Sequence, residues 1–198
     1  MLECPYCRTP LTENTAACPK CHLDLSRAKI VLGPAPRLSH LGVSDFSGCL
    51  SDAEEKRIIR AVQHFQNRFP QSRLAIVFRE FSPEFPLSAH LFWLFNSSGL
   101  ASGDRKGGKN RDVLIGIDTA RNVAGLTVGY GLEPFLGQEA LDHLMRLAVP
   151  NFQAAEYADG VLEIVRGLSL LMEGVCRELR DMLGLDYDFA VEEKAGEY

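Results

Sequence analysis

Apolar positions along this chain change their period several times, and each change marks a different element. Ser51-Asp52-Ala53-Glu54 is a capping box, with Ser51 and Glu54 placed to satisfy each other's backbone amide at the start of a helix. Ile58, Val62, Phe65 and Phe69 then recur on one helical face, and Pro70 ends it. Leu74-Ala75-Ile76-Val77-Phe78 is a continuous apolar run with β-branched residues, the pattern of a strand buried on both faces. A second helix is predicted over residues 87–95, stopped by Asn96-Ser97-Ser98-Gly99. Val113-Leu114-Ile115-Gly116-Ile117 and Leu126-Thr127-Val128 flank Thr119-Ala120-Arg121-Asn122 and read as antiparallel strands joined by a turn. Helices are predicted over residues 140–147 and 158–183. The second carries a stripe of Val161, Ile164, Val165, Leu168, Leu171, Met172, Val175 and Leu179, with Gly184 as its stop. With a short initial strand near residues 41–44, the order predicts an α/β fold: a small mixed sheet of about four strands flanked by helices.

The first 25 residues follow no such period. Cys4-Pro5-Tyr6-Cys7 and Cys18-Pro19-Lys20-Cys21 form two C-x-x-C pairs with the spacing of a zinc ribbon, in which four thiolates close a tetrahedral sphere at Zn–S distances of about 2.3 Å. A closed sphere implies a structural metal. The Cys18-x-x-Cys21-His22 stretch also fits a haem attachment pattern, and either pair fits a redox dithiol, but each of those leaves the other pair without a role. His22 is a possible fourth ligand in place of Cys21, although four thiols already suffice. Ser26 to His40 contains Pro34 and Pro36 and no hydrophobic period. The resulting division is a ribbon at 1–25, a linker at 26–40, an α/β domain at 41–184 and an acidic tail at 185–198. The linker looks too polar to transmit packing, so the α/β domain is expected to fold without the ribbon.

Length, charge and compartment narrow the function. At 198 residues the chain accommodates one ordinary core plus the ribbon. The formal charge of −5 becomes more negative when four thiolates bind zinc, and the ribbon sets Arg8 and Lys20 against Glu3, Glu13 and Asp24. That field disfavours nucleic acid as a partner and favours a protein. No basic-then-apolar leader opens the chain, and no apolar run is long enough to span a membrane. A cytoplasmic location is expected, with cysteines kept reduced for metal.

Several motifs recur in the order of a known domain: Val43-Ser44-Asp45-Phe46-Ser47-Gly48-Cys49-Leu50-Ser51, then Val113-Leu114-Ile115-Gly116-Ile117, Val128-Gly129-Tyr130-Gly131-Leu132-Glu133, and Glu156-Tyr157-Ala158-Asp159-Gly160. From about residue 42 to 171 the chain resembles the TPM domain family, with the V-G-Y-G-L-E match complete. The resemblance implies a compact α/β sandwich and, for some members, export or membrane anchoring, envelope or photosystem-repair roles, calcium binding and weak acid phosphatase activity. Where the family has Asp-Asn-Gly before a strand, this chain has Asn110-Arg111-Asp112, and its aromatic-plus-glycine segment is Phe95-Asn96-Ser97-Ser98-Gly99.

Asp45, Asp112 and Glu133 fall at or near family motif positions that could surround one cleft, and oxygen ligands suit calcium or magnesium. Each also has an ordinary role, in a turn, at a strand start and at a segment cap, and Arg111 opposes a divalent ion. Gly129 and Gly131 permit either positive φ and close backbone approach to a ligand or a tight strand exit in which Tyr130 packs. Gly103 to Asn110 nearly spells a phosphate loop, but Asn110 replaces the hydroxyl residue and a strand follows instead of a helix. That leaves a basic loop carrying Arg105, Lys106, Lys109 and Arg111. His22, His40, His64, His90 and His143 form no metal or nucleophile pattern, and Cys49 and Cys176 read as partly buried thiols. The expected function is a zinc-stapled binding or assembly module for a protein partner. The alternative is a weak metal-dependent phosphatase in which Asp45, Asp112 and Glu133 hold the cation and Arg111 faces the phosphate.

Overall fold

The computed structural model describes residues 2–12, 15–100 and 110–182. The Gly184 helix stop, the acidic tail and Arg105, Lys106 and Lys109 of the basic loop lie outside the described residues. Strands β1 (Leu2–Glu3) and β2 (Pro10–Leu11) pair antiparallel, and helix α1 (Leu25–Leu32) follows. Then come β3 (Val43–Asp45), α2 (Asp52–Arg68), β4 (Leu74–Arg79), α3 (Leu87–Ser97), β5 (Val113–Asp118), β6 (Val123–Val128), α4 (Gln138–Gln153) and α5 (Tyr157–Met182). The main sheet has the order β3-β4-β5-β6, with the first three strands parallel and β6 antiparallel. A mixed four-stranded sheet flanked by helices is what the periodicity predicts. The capping box forms as well: Ser51 Oγ accepts from Glu54 N, and the Glu54 carboxylate accepts from Ser51 N.

Strands β4 and β5 are buried over nearly their whole length, so both sheet faces need a cover. On one face Ile76, Phe78, Ile115 and Ile117 pack with Ile58, Val62 and Phe65 of α2 and with the inner faces of α4 and α5. On the other, Ala75, Val77 and Leu114 pack with Leu91, Leu94 and Phe95 of α3. The chain moves from β3 to β4 to β5 in one direction with α2 and α3 on opposite faces, so one of these parallel crossovers is left-handed, against the strong right-handed preference. Helix α3 lies close to the sheet because Gly116 and Gly125 oppose each other in the β5–β6 ladder. A Cβ on either would meet Leu91 side-chain atoms, at 2.2 and 2.7 Å.

The segment expected as a loose linker contains α1, which packs into the second core. Asp24 caps the helix by accepting from Arg27 N at 2.7 Å. Ala28 is buried, and Leu23, Leu32, Ala35 and Leu38 pack against the same cluster. Trp93 of α3 donates its indole N–H to Gly33 O at 3.0 Å, which fixes the end of α1 over the sheet. Within the helix Ala28 and Leu32 pack on that cluster, too few apolar positions for a period to stand out between the cysteine pairs and two prolines. Helix α4 also exceeds its expected end, running through Pro150 because Ala148 and Phe152 are buried beneath it. Here tertiary burial outweighs the local cost of proline.

His90 lies inside the α3 layer. Its Nε2–H donates to Ser82 O at 3.0 Å, and its ring sits 5.0 Å from Phe81 and 6.1 Å from Phe85. Burial pushes its pKa below the ordinary 6.5, so the folded protein resists a proton that the unfolded chain accepts. Its contribution to stability is whole above pH 6.5 and is lost as pH falls from there toward the folded value. Urea melts across that acidic window should show stability falling with pH, and His90→Gln should flatten the fall. Ala28→Glu, which drives a charge into the α1–α3 seam, should cost about 2–4 kcal/mol and red-shift the emission of Trp93.

Candidate metal centre and the carboxylates

The two cysteine pairs sit in matching turns. Cys4 N donates to Thr9 O and Arg8 N to Cys4 O; Cys18 N donates to Leu23 O and His22 N to Cys18 O. Arg8 and His22, each following a second cysteine, both adopt left-handed φ, 57° and 58°. His22 is thus an exposed turn residue equivalent to Arg8. The four Sγ atoms lie within 4.8 Å of one another, with Cys4–Cys21 and Cys7–Cys18 each at 3.6 Å. A tetrahedron with Zn–S distances near 2.3 Å has S–S edges of about 3.8 Å, whereas a disulfide needs about 2.05 Å. The thiols are free and shaped for one ion. Hydrogen bonding from Thr9 lowers the Cys7 pKa to about 6, while burial pushes Cys21 up to about 12. Four thiolates this close need a cation to coexist.

This cluster touches the α/β layer through the first knuckle. Tyr6 packs on Phe85 with ring centroids 5.9 Å apart, and Ser88 Oγ at the start of α3 donates to Pro5 O. Phe85 in turn edges onto His90. The ribbon therefore rests on the same helix that α1 covers.

The three carboxylates expected around one cleft are dispersed. Asp45 ends β3, level with Phe78 and Ile117, whereas Asp112 precedes β5. Five residues of strand separate these levels, about 16 Å along the sheet. Glu133, exposed after β6, lies near the Asp112 end, since Val128 pairs with Val113. Asp45 is occupied by its own turn: Oδ1 accepts from Ser47 N, Ser47 Oγ and Gly48 N, and Oδ2 accepts from Leu50 N at 2.9 Å. Asp112 is buried, accepts from Arg73 N at 3.1 Å and forms an ion pair with the Arg73 guanidinium. Arg73 also donates to Gly99 O and Leu100 O. Among the described residues, the cysteine quartet is the group of three or more metal-capable side chains that converges.

The glycines of Val128-Gly129-Tyr130-Gly131 serve the chain's own backbone. A Cβ on Gly129 would lie 2.4 Å from Asn110 O, and Gly131 N donates to that carbonyl. Tyr130, between them, is 60% exposed at the strand exit.

The carboxyl ends of the parallel strands hold polar residues that the motif reading did not single out. Asp118 is fully buried, accepts from Ala120 N at 3.1 Å and pairs with Arg121. Tyr157 donates to Asn122 Oδ1, which anchors the start of α5 to the β5–β6 turn, and Asp159 pairs with Arg57 at 2.7 Å. The Glu156-to-Gly160 motif is therefore a helix anchor. Beside it Pro36, Phe46, Ser47, Arg79 and Glu80 line an open depression of about 590 Å³. The Asp118–Arg121 pair lies within four residues of sequence, whereas the Arg57–Asp159 pair spans 102 and leaves no local signal.

The family model of the TPM domain matches residues 43–170, from β3 into α5. Among solved structures, the N-terminal domain of a protein from P. gingivalis is 23% identical, with a TM-score of 0.57 over 67% of this chain and 82% of that one. The N-terminal domain of the cg2496 protein from Corynebacterium glutamicum is 15% identical, with a TM-score of 0.49 over 80% of this chain and 87% of that one. A search of the curated proteins finds no match. The family match spans well over half of the 198 residues, and the chain belongs to the TPM domain family.

Proposed function

We propose that this chain is a zinc-stapled TPM domain acting as a binding module for a protein partner in a reducing compartment such as the cytoplasm. The observation that carries the zinc is the closed set of four sulfurs, with edges of 3.6 Å close to those of a tetrahedral Zn–S site. Thiolates select a soft or borderline ion over calcium or magnesium. A closed sphere holds structure and leaves no place for a substrate. Support for a binding role over hydrolysis comes from the carboxylates: Asp45 is spent on five hydrogen bonds within one turn and Asp112 on Arg73. A guanidinium already neutralising a buried carboxylate competes directly with a cation.

The purified protein should contain one zinc per chain by elemental analysis. Cys18→Ser should release it and loosen residues 2–23 while the sheet keeps a cooperative melt. Protein purified without chelators that contains no zinc would overturn the metal assignment.

Asp45→Asn and Asp112→Asn separate the two functional readings. Each should cost about 1–3 kcal/mol of stability, because each leaves buried or turn amides and a guanidinium short of an acceptor. Neither should alter a phosphomonoesterase rate, which stays at the buffer background in the unaltered protein. Calcium-dependent phosphatase turnover that both substitutions abolish would establish the hydrolase instead.

A further inference from the structure

We propose that the open edge of β6 pairs with β6 of a second copy, joining two four-stranded sheets into one across a two-fold axis. The main sheet has two edges, and they are treated differently. The β3 edge is only three residues long. A very short edge strand is one way sheets avoid pairing with others. The β6 edge runs six residues, Val-Ala-Gly-Leu-Thr-Val, with no charge, no proline and no further strand beside it among the described residues.

Alternation within the ladder shows which groups face outward. Gly129 N donates to Asp112 O, and Val113 N turns the other way, to Arg73 O. In an antiparallel ladder hydrogen-bonded pairs alternate, so Gly125 and Thr127 bond β5 while Ala124, Leu126 and Val128 present N–H and C=O to the open side. These three residues are symmetric about Leu126. A second copy laid antiparallel therefore sets Ala124 against Val128, Leu126 against Leu126 and Val128 against Ala124, and about six hydrogen bonds satisfy every outward group. No two like charges meet in this register, because the strand has none. The side chains of Ala124, Leu126 and Val128 are half-buried against the first core, so the pairing continues an existing apolar layer.

Sedimentation velocity of the full chain from about 1 to 100 μM should show a monomer–dimer equilibrium, bracketing the affinity of a modest interface. Ala124→Pro removes one outward N–H that β5 does not use, and Thr127→Lys places a charge near the two-fold axis on each copy. Both should sediment as monomers with the thermal melt of the dilute wild-type monomer. In the dimer the amides of residues 124, 126 and 128 should exchange as slowly as those of 125 and 127. In the variants they should exchange at least about tenfold faster, restoring the alternation. Thr127→Lys alone decides if Ala124→Pro does not fold. A monomer throughout the range, a dimer that Thr127→Lys leaves intact, or a monomer whose 124, 126 and 128 amides are already protected by its own chain would each overturn the proposal.

Discussion

Everything in this molecule follows from two strands that cannot tolerate water on either face. Leu74 to Phe78 and Val113 to Asp118 are buried throughout, which obliges the chain to build two apolar layers. The first layer has three helices to draw on, α2, α4 and α5. The second has one crossover helix, α3, and the shortfall is met from the other end of the chain by α1. At roughly 25 cal/mol for each Å² of apolar surface, leaving even one large side chain of that layer in water costs about 1.5–3 kcal/mol, a sizeable share of a domain's net stability. The N-terminal segment is thereby part of the core, and the cysteine ribbon ahead of it is brought onto α3 through Tyr6, Phe85 and Ser88.

The same sheet geometry separates the chemistry. Parallel strands send residues at strand starts and strand ends to opposite rims, so Asp45 and Asp112 cannot share an ion even though both stand at family motif positions. Each has instead a local electrostatic task. Asp45 holds the turn that delivers Ser51 to its capping box, and Asp112 ties the start of β5 to Arg73 and to the residues after α3. At the same rim as Asp45, Asp118 and Arg121 hold the β5–β6 turn against which Tyr157 anchors α5. Asp45, Asp112 and Asp118 thus fasten loops, and among the described residues the side chains that converge as metal ligands are the four cysteines.

Local chemistry made much of this legible in the sequence. The ribbon is visible in the spacing of Cys4, Cys7, Cys18 and Cys21 because two short turns suffice to bring four sulfurs together. The α2 start is visible in Ser51 and Glu54, and β4 in its unbroken apolar run. What stayed hidden involves partners far apart in the chain. Arg73 meets Asp112 across 39 residues, Trp93 meets Gly33 across 60, and no pattern in either partner announces the other. Helix α1 was missed for the same reason: two inward residues, Ala28 and Leu32, make a helix face only when α3 is there to receive them. At Asp45 a motif position suggests a ligand, and the structure adds a local role that the motif does not announce: it accepts from the adjacent amides of Ser47, Gly48 and Leu50.

The central claim is that α1 belongs to the cooperative core and is not an appendage of the ribbon. Native-state hydrogen exchange tests this directly, because it assigns an opening free energy to each amide. If α1 completes the second layer, the hydrogen-bonded amides near Leu32 open with the free energy of Val77 and Leu114 at the sheet centre, and they respond equally to small additions of denaturant. Amides of α1 that exchange several kcal/mol more easily than those of β4 and β5, by local fraying insensitive to denaturant, would contradict it.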